Sequence, residues 1–139
     1  MEDRKILINQ IRTPDGTILI SQHRHDYVTY TDKNGLTYMA DGGDAYLRRN
    51  THPSAPYEEL SIYEGDELDF EYFRTVFCRG GRGKDGNEPL TWVPLCKMSD
   101  DWLKATIVYE EELRPDNKYT KYFKEEVEYR INNNIKIDE

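Results

Sequence analysis

Two turn signals in the first fifty residues constrain the fold more than any other feature of the chain. Asn34-Gly35 lies between two β-branched and aromatic runs, and Asn-Gly is the strongest short signal for a β-hairpin. Pro14-Asp15-Gly16 joins two apolar runs, and it favours a turn because Pro presets φ while Gly accepts a positive φ. The sequence therefore predicts two antiparallel hairpins, with strands at 5–12, 17–21, 27–30 and 36–40.

The rest of the chain is predicted to hold a third hairpin and two helices. Residues 70–78 are rich in aromatic and β-branched side chains, which predicts a strand that returns at 90–95. Ser99, followed by two aspartates, predicts a helix N-cap. A second helix is predicted from about 118 to 131. We expect an α+β fold in which antiparallel hairpins carry two C-terminal helices packed on a sheet, with units 1–50 and 51–139 sharing one core.

Each predicted helix has an apolar face at helical spacing. Glu110 falls within the face of the first helix, so it must point outward or find a partner. The residues expected to be buried are Trp102, Leu103, Thr106, Ile107, Tyr109 and Leu113 in the first helix and Tyr119, Tyr122, Phe123, Val127 and Ile131 in the second.

Composition narrows the function classes. The chain of 139 residues has a formal net charge of −8, which disfavours binding to the phosphate backbone of duplex nucleic acid. It has no apolar run of about 18 residues, so no transmembrane helix is predicted. Two cysteines are too few for a disulfide framework. With a charged N-terminus unlike a secretory signal, these features predict a cytoplasmic protein with reduced thiols.

Residues 78–86 place three cations and four glycines in one short loop of this acidic chain. Glycine lets backbone N–H groups turn toward a ligand, and arginine and lysine add positive charge. The loop therefore predicts a small anion site formed by Arg79, Arg82 and Lys84. Two other interpretations stay open: the loop is a solvated hairpin turn, or its cations neutralise the acidic residues at 58–71.

The first half of the chain carries a resemblance. His23-Arg24-His25-Asp26, followed by the segment from Asp41 to Arg49, resembles a small uncharacterised family common in tailed phages. Members of that family usually carry C-x-x-C-G knuckles at the two hairpin tips, where this chain keeps the glycines but lacks the cysteines. Over about residues 5–65, the resemblance implies a zinc-ribbon-like β unit that is built without zinc.

His23 and His25, with Asp26, Asp41 and Asp44, have side chains of the types that ligate metals. Because no third nitrogen or sulfur ligand accompanies them, we predict no metal and no cofactor. His25 and Asp26 are instead expected to hold the connection between the hairpins by side-chain-to-backbone hydrogen bonds.

The second half has its own resemblance. Gly83-Lys84-Asp85-Gly86, then Trp92-Val93-Pro94-Leu95, then the run from Met98 to Leu103, resembles a phage module of a hairpin followed by two helices. Trp102 stands where that module usually has a histidine. The layout of residues 70–131 is also similar to phage sponges that disarm Thoeris defence. That similarity implies an anti-defence role, the sequestration of cyclic ADP-ribose signals.

Two functional hypotheses follow. The first is a phage-type accessory protein that sequesters a small phosphorylated or nucleotide-like ligand, with Trp92 or Trp102 stacking on a base. The alternative is an adaptor that binds a host or phage protein through an acidic, Tyr-rich surface. No catalytic pairing with defensible spacing is present, so we predict no enzyme, and we expect a homodimer through the helical half. The candidate ligand-binding residues are Arg79, Arg82, Lys84, Trp92, Trp102, Arg48, Arg49 and His25.

Overall fold

The computed structural model describes residues 5–49, 56–83 and 85–138, and these form the α+β fold that the sequence predicts. The chain divides into two units, Met1–Leu68 and Asp69–Glu139. The strands are β1 Ile6–Arg12, β2 Ile18–Ser21, β3 Val28–Thr31, β4 Thr37–Asp41, β5 Arg48–Arg49, β6 Glu58–Glu59, β7 Ile62–Tyr63, β8 Cys78–Gly81 and β9 Thr91–Pro94. The helices are α1 Phe70–Val76, α2 Asp100–Leu113 and α3 Thr120–Asn132, and Leu95–Lys97 forms a 3₁₀ turn.

The first unit contains both predicted hairpins. β1 pairs antiparallel with β2, and β3 pairs antiparallel with β4. The hairpin turns close at the positions that the sequence indicates, with Gly16 N donating to Thr13 O and Gly35 N donating to Asp32 O. A core cluster from both hairpins lies beneath them and contains Ile11, Leu19, Tyr38 and Ala40.

β1 also pairs with the two short strands in the later part of this unit. Its N-terminal half pairs antiparallel with β7 and its C-terminal half with β6. The sequence places the boundary between the two units after residue 50, whereas the structure places it after Leu68. The physical reason is non-local, because the short strands at 58–63 find their hydrogen-bonding partners in β1 rather than in the segment that follows them.

Residues 70–76 form α1, so the prediction of a strand over 70–78 is wrong for most of its length. The Asp69 side chain accepts a hydrogen bond from Tyr72 N and caps the helix. Phe70, Phe73 and Phe77 then share one side at spacings of three and four residues. Phe73 is fully buried and contacts Phe77 at 5.1 Å between ring centroids. The extended chain begins only at β8.

The two C-terminal helices form where the sequence predicts them. Ser99 caps α2 by accepting a hydrogen bond from Trp102 N, and Arg114 ends it. Of the residues expected to be buried in α2 and α3, Leu103, Thr106, Tyr122 and Phe123 are buried. Tyr109, Leu113 and Ile131 are exposed instead, while Glu110, Glu126 and Arg130 lie inside the unit.

The buried charges of this unit are paired with one another. Arg74 Nε and Nη2 each lie 2.7 Å from a Glu126 carboxylate oxygen, and Arg130 Nε donates to the same carboxylate at 2.7 Å. Arg130 also reaches Asp100 at 2.7 Å. Burial of charge is tolerated only with such pairing. Within the described ranges, none of the helices has the length and apolarity needed to cross a membrane.

Candidate functional site

The two faces of the β8–β9 hairpin differ in what covers them. Gly80 lies opposite Trp92 in the strand register, and a Cβ on Gly80 would lie 3.2 Å from the Trp92 ring. A Cβ on Gly81 would instead lie 2.9 Å from the Trp102 ring. Because successive strand residues point to opposite faces, Trp92 and Trp102 cover opposite sides of the hairpin. One ligand therefore cannot lie between the two rings.

On the face of the hairpin toward α2, Arg79 forms an ion pair with Glu110. Arg79 Nη1 donates to Glu110 Oε1 at 2.9 Å, and Asn117 Nδ2 donates to Glu110 Oε2 at 2.6 Å. Burial alone would raise the pKa of Glu110, but the hydrogen bonds from Asn117 and Arg79 outweigh it and the pKa is lowered. Arg79 is thus the internal counter-ion of a buried helix acid. Its partner belongs to α2 and not to the acidic block at 58–71.

The opposite face is more open. The Leu90 side chain contacts the same side of Gly80 as Trp92 and is 48% exposed. Arg82 follows β8 directly and is exposed, with one contact from Nη1 to Glu88 O at 3.5 Å. Trp92, Leu90 and Arg82 form what we call the hairpin face. Lys84, the third cation predicted for the anion site, lies outside the described residues.

An acid lies inside the glycine loop itself. The Glu88 carboxylate rests so closely against Gly83 that a Cβ there would overlap Glu88 Oε2. The negative charge opposes a second anion at the same place. Of the two described arginines of this segment, Arg79 is paired with Glu110 and Arg82 is exposed.

Two other predicted residues, His25 and Arg48, are linked through Tyr46 and Asp41 in the first unit. His25 has a left-handed backbone conformation with φ 66°, and its Nδ1 lies 2.8 Å from Tyr46 Oη. Tyr46 Oη lies 3.4 Å from Asp41 Oδ2, and Arg48 Nη1 lies 3.5 Å from the same oxygen. Sequence reasoning named His25 and Arg48 but missed Tyr46, although the Asp-Gly-Gly-Asp-Ala-Tyr motif contained it.

The Tyr46 hydroxyl links His25 to Asp41. It donates to Asp41 Oδ2, and it can accept from His25 Nδ1 in the tautomer that carries a proton on that nitrogen. Asp41 is buried, and among the described residues its Oδ1 atom has no hydrogen-bond partner. The contact of His25 is with a tyrosine side chain, not with the backbone as predicted. Asp26 fulfils that prediction, since its Oδ2 accepts from Gln22 N at 2.8 Å.

Arg49, one of the candidate ligand-binding residues, has acidic and hydroxyl partners in the first unit. Its Nη2 atom lies 3.2 Å from Glu59 Oε1 and 3.2 Å from Ser61 Oγ. Only 7% of its side chain is exposed. Arg49 is thus paired with an acid of the block at 58–71, whereas Arg48 is exposed beside Asp41.

Metal and thiol chemistry have little support in the described part of the chain. Over residues 5–49, 56–83 and 85–138, no group of three or more His, Cys, Asp or Glu side chains is placed to hold a metal ion. Burial raises the pKa of the Cys78 thiol, and the neighbouring Cys96 raises it further, which keeps the thiol protonated at neutral pH.

Comparison with known proteins adds no assignment. No protein-family model matches the chain, and no curated protein or solved structure matches it either.

Proposed function

We propose that the protein is a non-enzymatic binding protein that sequesters a small phosphorylated, nucleotide-like ligand on the hairpin face. The observation that supports this most directly is that Trp92 and Leu90 both lie against Gly80, while the exposed Arg82 follows two residues later along the same segment. Aromatic rings accept any base by stacking. A guanidinium binds phosphate through paired hydrogen bonds. The hairpin thus offers a suitable residue for each of the two parts of a nucleotide.

The other tryptophan has a different role in this proposal. Trp102 belongs to the first turn of α2 and covers Gly81 on the far side of the hairpin. We assign it to packing between α2 and the hairpin, and neither Trp102 nor Arg79 belongs to the proposed ligand contacts.

The state of the buried acids supports binding without chemistry. Glu110 and Glu126 each accept hydrogen bonds from a guanidinium. The pKa of Glu110 is lowered, so this carboxylate is not poised to take up a proton near neutral pH. The phage-type, anti-defence role rests on the resemblance in residues 70–131. It makes cyclic ADP-ribose derivatives the first nucleotides to test.

The experiment is a thermal-shift screen of nucleotides followed by calorimetric titration. A ligand that binds only the folded state raises the Tm. We expect Trp92→Leu to weaken binding of the selected nucleotide by about 1–3 kcal/mol and Arg82→Gln by about 1.5–3 kcal/mol. The matched controls are Tyr27→Leu and Arg12→Gln, exposed residues of the first unit, which should bind like the parent. A screen in which no nucleotide raises the Tm contradicts the proposal.

A second candidate function, that of a protein-interaction adaptor, is favoured by one specific feature. α2 exposes an apolar stripe formed by Val108, Tyr109 and Leu113, of which Leu113 is 65% exposed. Exposed apolar patches of this kind mark interaction surfaces. In this case Leu113→Lys should abolish binding of the partner protein while Trp92→Leu leaves it intact, the reverse of the pattern expected for a nucleotide site.

A further inference from the structure

A groove lies between α2, α3 and the C-terminal tail of the second unit, away from the hairpin face. Its volume is about 330 Å³, at the lower end of the range of small-molecule sites. Four aliphatic side chains form most of its wall, with Ile131 at the edge, where it is 71% exposed. These are Leu103, Val127, Ile131 and Ile135.

The charges around the groove do not cancel. Asp100 and Arg130 neutralise each other at 2.7 Å, and the second Asp100 oxygen accepts from Ile137 N at 3.3 Å. Lys104 and Lys136 also line the groove. The charge of Lys104 also acts on Asp100, since it contributes to lowering the pKa of that carboxyl group. The groove lining therefore carries three bases and one acid, on a chain whose net charge is −8.

The third wall of the groove is the C-terminal tail, which backbone hydrogen bonds hold in place. The tail turns back after α3 at Asn134, and Ile135 N donates to Arg130 O at 2.9 Å. Asp100 N then donates to Ile137 O at 2.9 Å. A preformed site loses less entropy when a ligand binds.

We propose that this groove binds a small amphipathic carboxylate, with its aliphatic chain between the two helices and its carboxylate between Lys104 and Lys136. The four aliphatic residues exclude a strongly polar body, and the excess of bases over acids in the lining selects a negative head group. The site is separate from the hairpin face and does not depend on the function proposed for it.

The test is a titration of ¹⁵N-labelled protein with hexanoate, octanoate and decanoate, followed by amide chemical shifts. We expect shifts at the amides of Lys104, Val127 and Lys136, with the Kd falling about fourfold for each added methylene until the groove is full. Octylammonium has the same length of chain and the opposite charge, so it should bind at least tenfold more weakly than octanoate. Equal binding of the two, or no dependence on chain length, overturns the proposal.

Variants separate the head group from the wall. Lys104→Gln/Lys136→Gln should weaken octanoate binding at least tenfold, whereas the control Lys33→Gln/Lys97→Gln, made at exposed lysines outside the groove, should not. Ile131→Gln should weaken binding severalfold without affecting folding, because this side chain is already exposed. Unchanged affinity in both groove variants contradicts the proposal. So would amide shifts at the groove that respond to protein dilution instead of octanoate, since a second copy of the chain would then occupy it.

Discussion

Arg79 Nη1 lies 2.9 Å from Oε1 of Glu110, and the Glu110 carboxylate is fully buried. The pair joins β8 to α2 across 31 residues of sequence. Its arginine belongs to the same glycine-rich segment as Arg82, which is exposed and whose guanidinium contacts a backbone oxygen at 3.5 Å. Two cations that look equivalent in the sequence therefore have different roles, one in stability and one at the surface.

Arg79→Ala is expected to destabilise the fold by about 3 kcal/mol, because it removes the closest cation from a buried carboxylate. Glu110 then keeps only the Asn117 amide at 2.6 Å and the exposed Arg114 guanidinium at 3.7 Å. Arg82→Ala is the matched control, and its effect should stay within about 0.5 kcal/mol. Urea unfolding with linear extrapolation measures both free energies. Equal stabilities of the two variants would mean that the ion pair contributes nothing to the folded state.

Stability should decrease in acid through Glu110. Its pKa is lowered in the folded protein from an ordinary value of 4.5, so its contribution is complete above about pH 4.5 and is lost as the pH falls through the lowered value. Glu110→Gln should be less stable than the parent at pH 7 and should lose less stability between pH 5 and pH 3. Melting temperatures across this range provide the measurement. Glu111→Gln, at an exposed neighbour, should follow the parent curve.

Glu126 is the centre of the buried charge network of the second unit. Glu126→Gln removes the charge that faces both Arg74 and Arg130, and we expect a loss of about 3–5 kcal/mol of unfolding free energy. Glu128→Gln, two residues along the same helix and exposed, should change it by less than about 0.5 kcal/mol. Chemical denaturation of the two variants side by side tests this, and a stable Glu126→Gln protein would contradict it.

The homodimer that we expect through the helical half does not use two of the rings of α3. Tyr122 contacts Phe73 and Phe123 contacts Phe77 within the unit. We propose the exposed apolar stripe on α2 as the dimer face. Light scattering at high concentration should give a dimer mass, and Leu113→Lys should give a monomer. A parent protein that is already monomeric would leave the stripe open and favour the adaptor function.

The parts of the fold predicted correctly are those decided by local signals. The hairpins follow from their turn residues, and α2 follows from Ser99 and the two aspartates after it. The error at α1 was also local: aromatic residues suit a strand or a helix, and the capping role of Asp69 decides between them. Asp69 is present in the sequence, but the sequence analysis did not identify it as a helix N-cap.

The remaining differences arise from contacts between distant residues. The pairing of β1 with β6 and β7 spans about fifty positions, and no local pattern indicates it. The same holds for the candidate site. Which tryptophan lies against Gly80 depends on the strand register, and which arginine is exposed depends on where Glu110 lies. Composition identified residues 78–86 as a cationic, glycine-rich segment. Only the three-dimensional structure shows that Arg79 is paired inside the unit while Arg82 is exposed.

Substitution of Gly43 tests the close contact between the loop at 41–44 and the backbone of His23. Gly43 has φ 51°, and a Cβ there would overlap the backbone of His23. Backbone cannot move aside as a flexible side chain can, and Gly43 N is also held by Ser21 Oγ at 2.8 Å. We expect Gly43→Ala to cost at least about 3 kcal/mol of stability. Gly65 also has a positive φ but no atom within 4 Å of such a Cβ, so Gly65→Ala should cost only about 1 kcal/mol. Denaturant unfolding of both variants isolates the steric contribution, and similar losses would show that the Asp-Gly-Gly-Asp loop does not press against the His23 backbone.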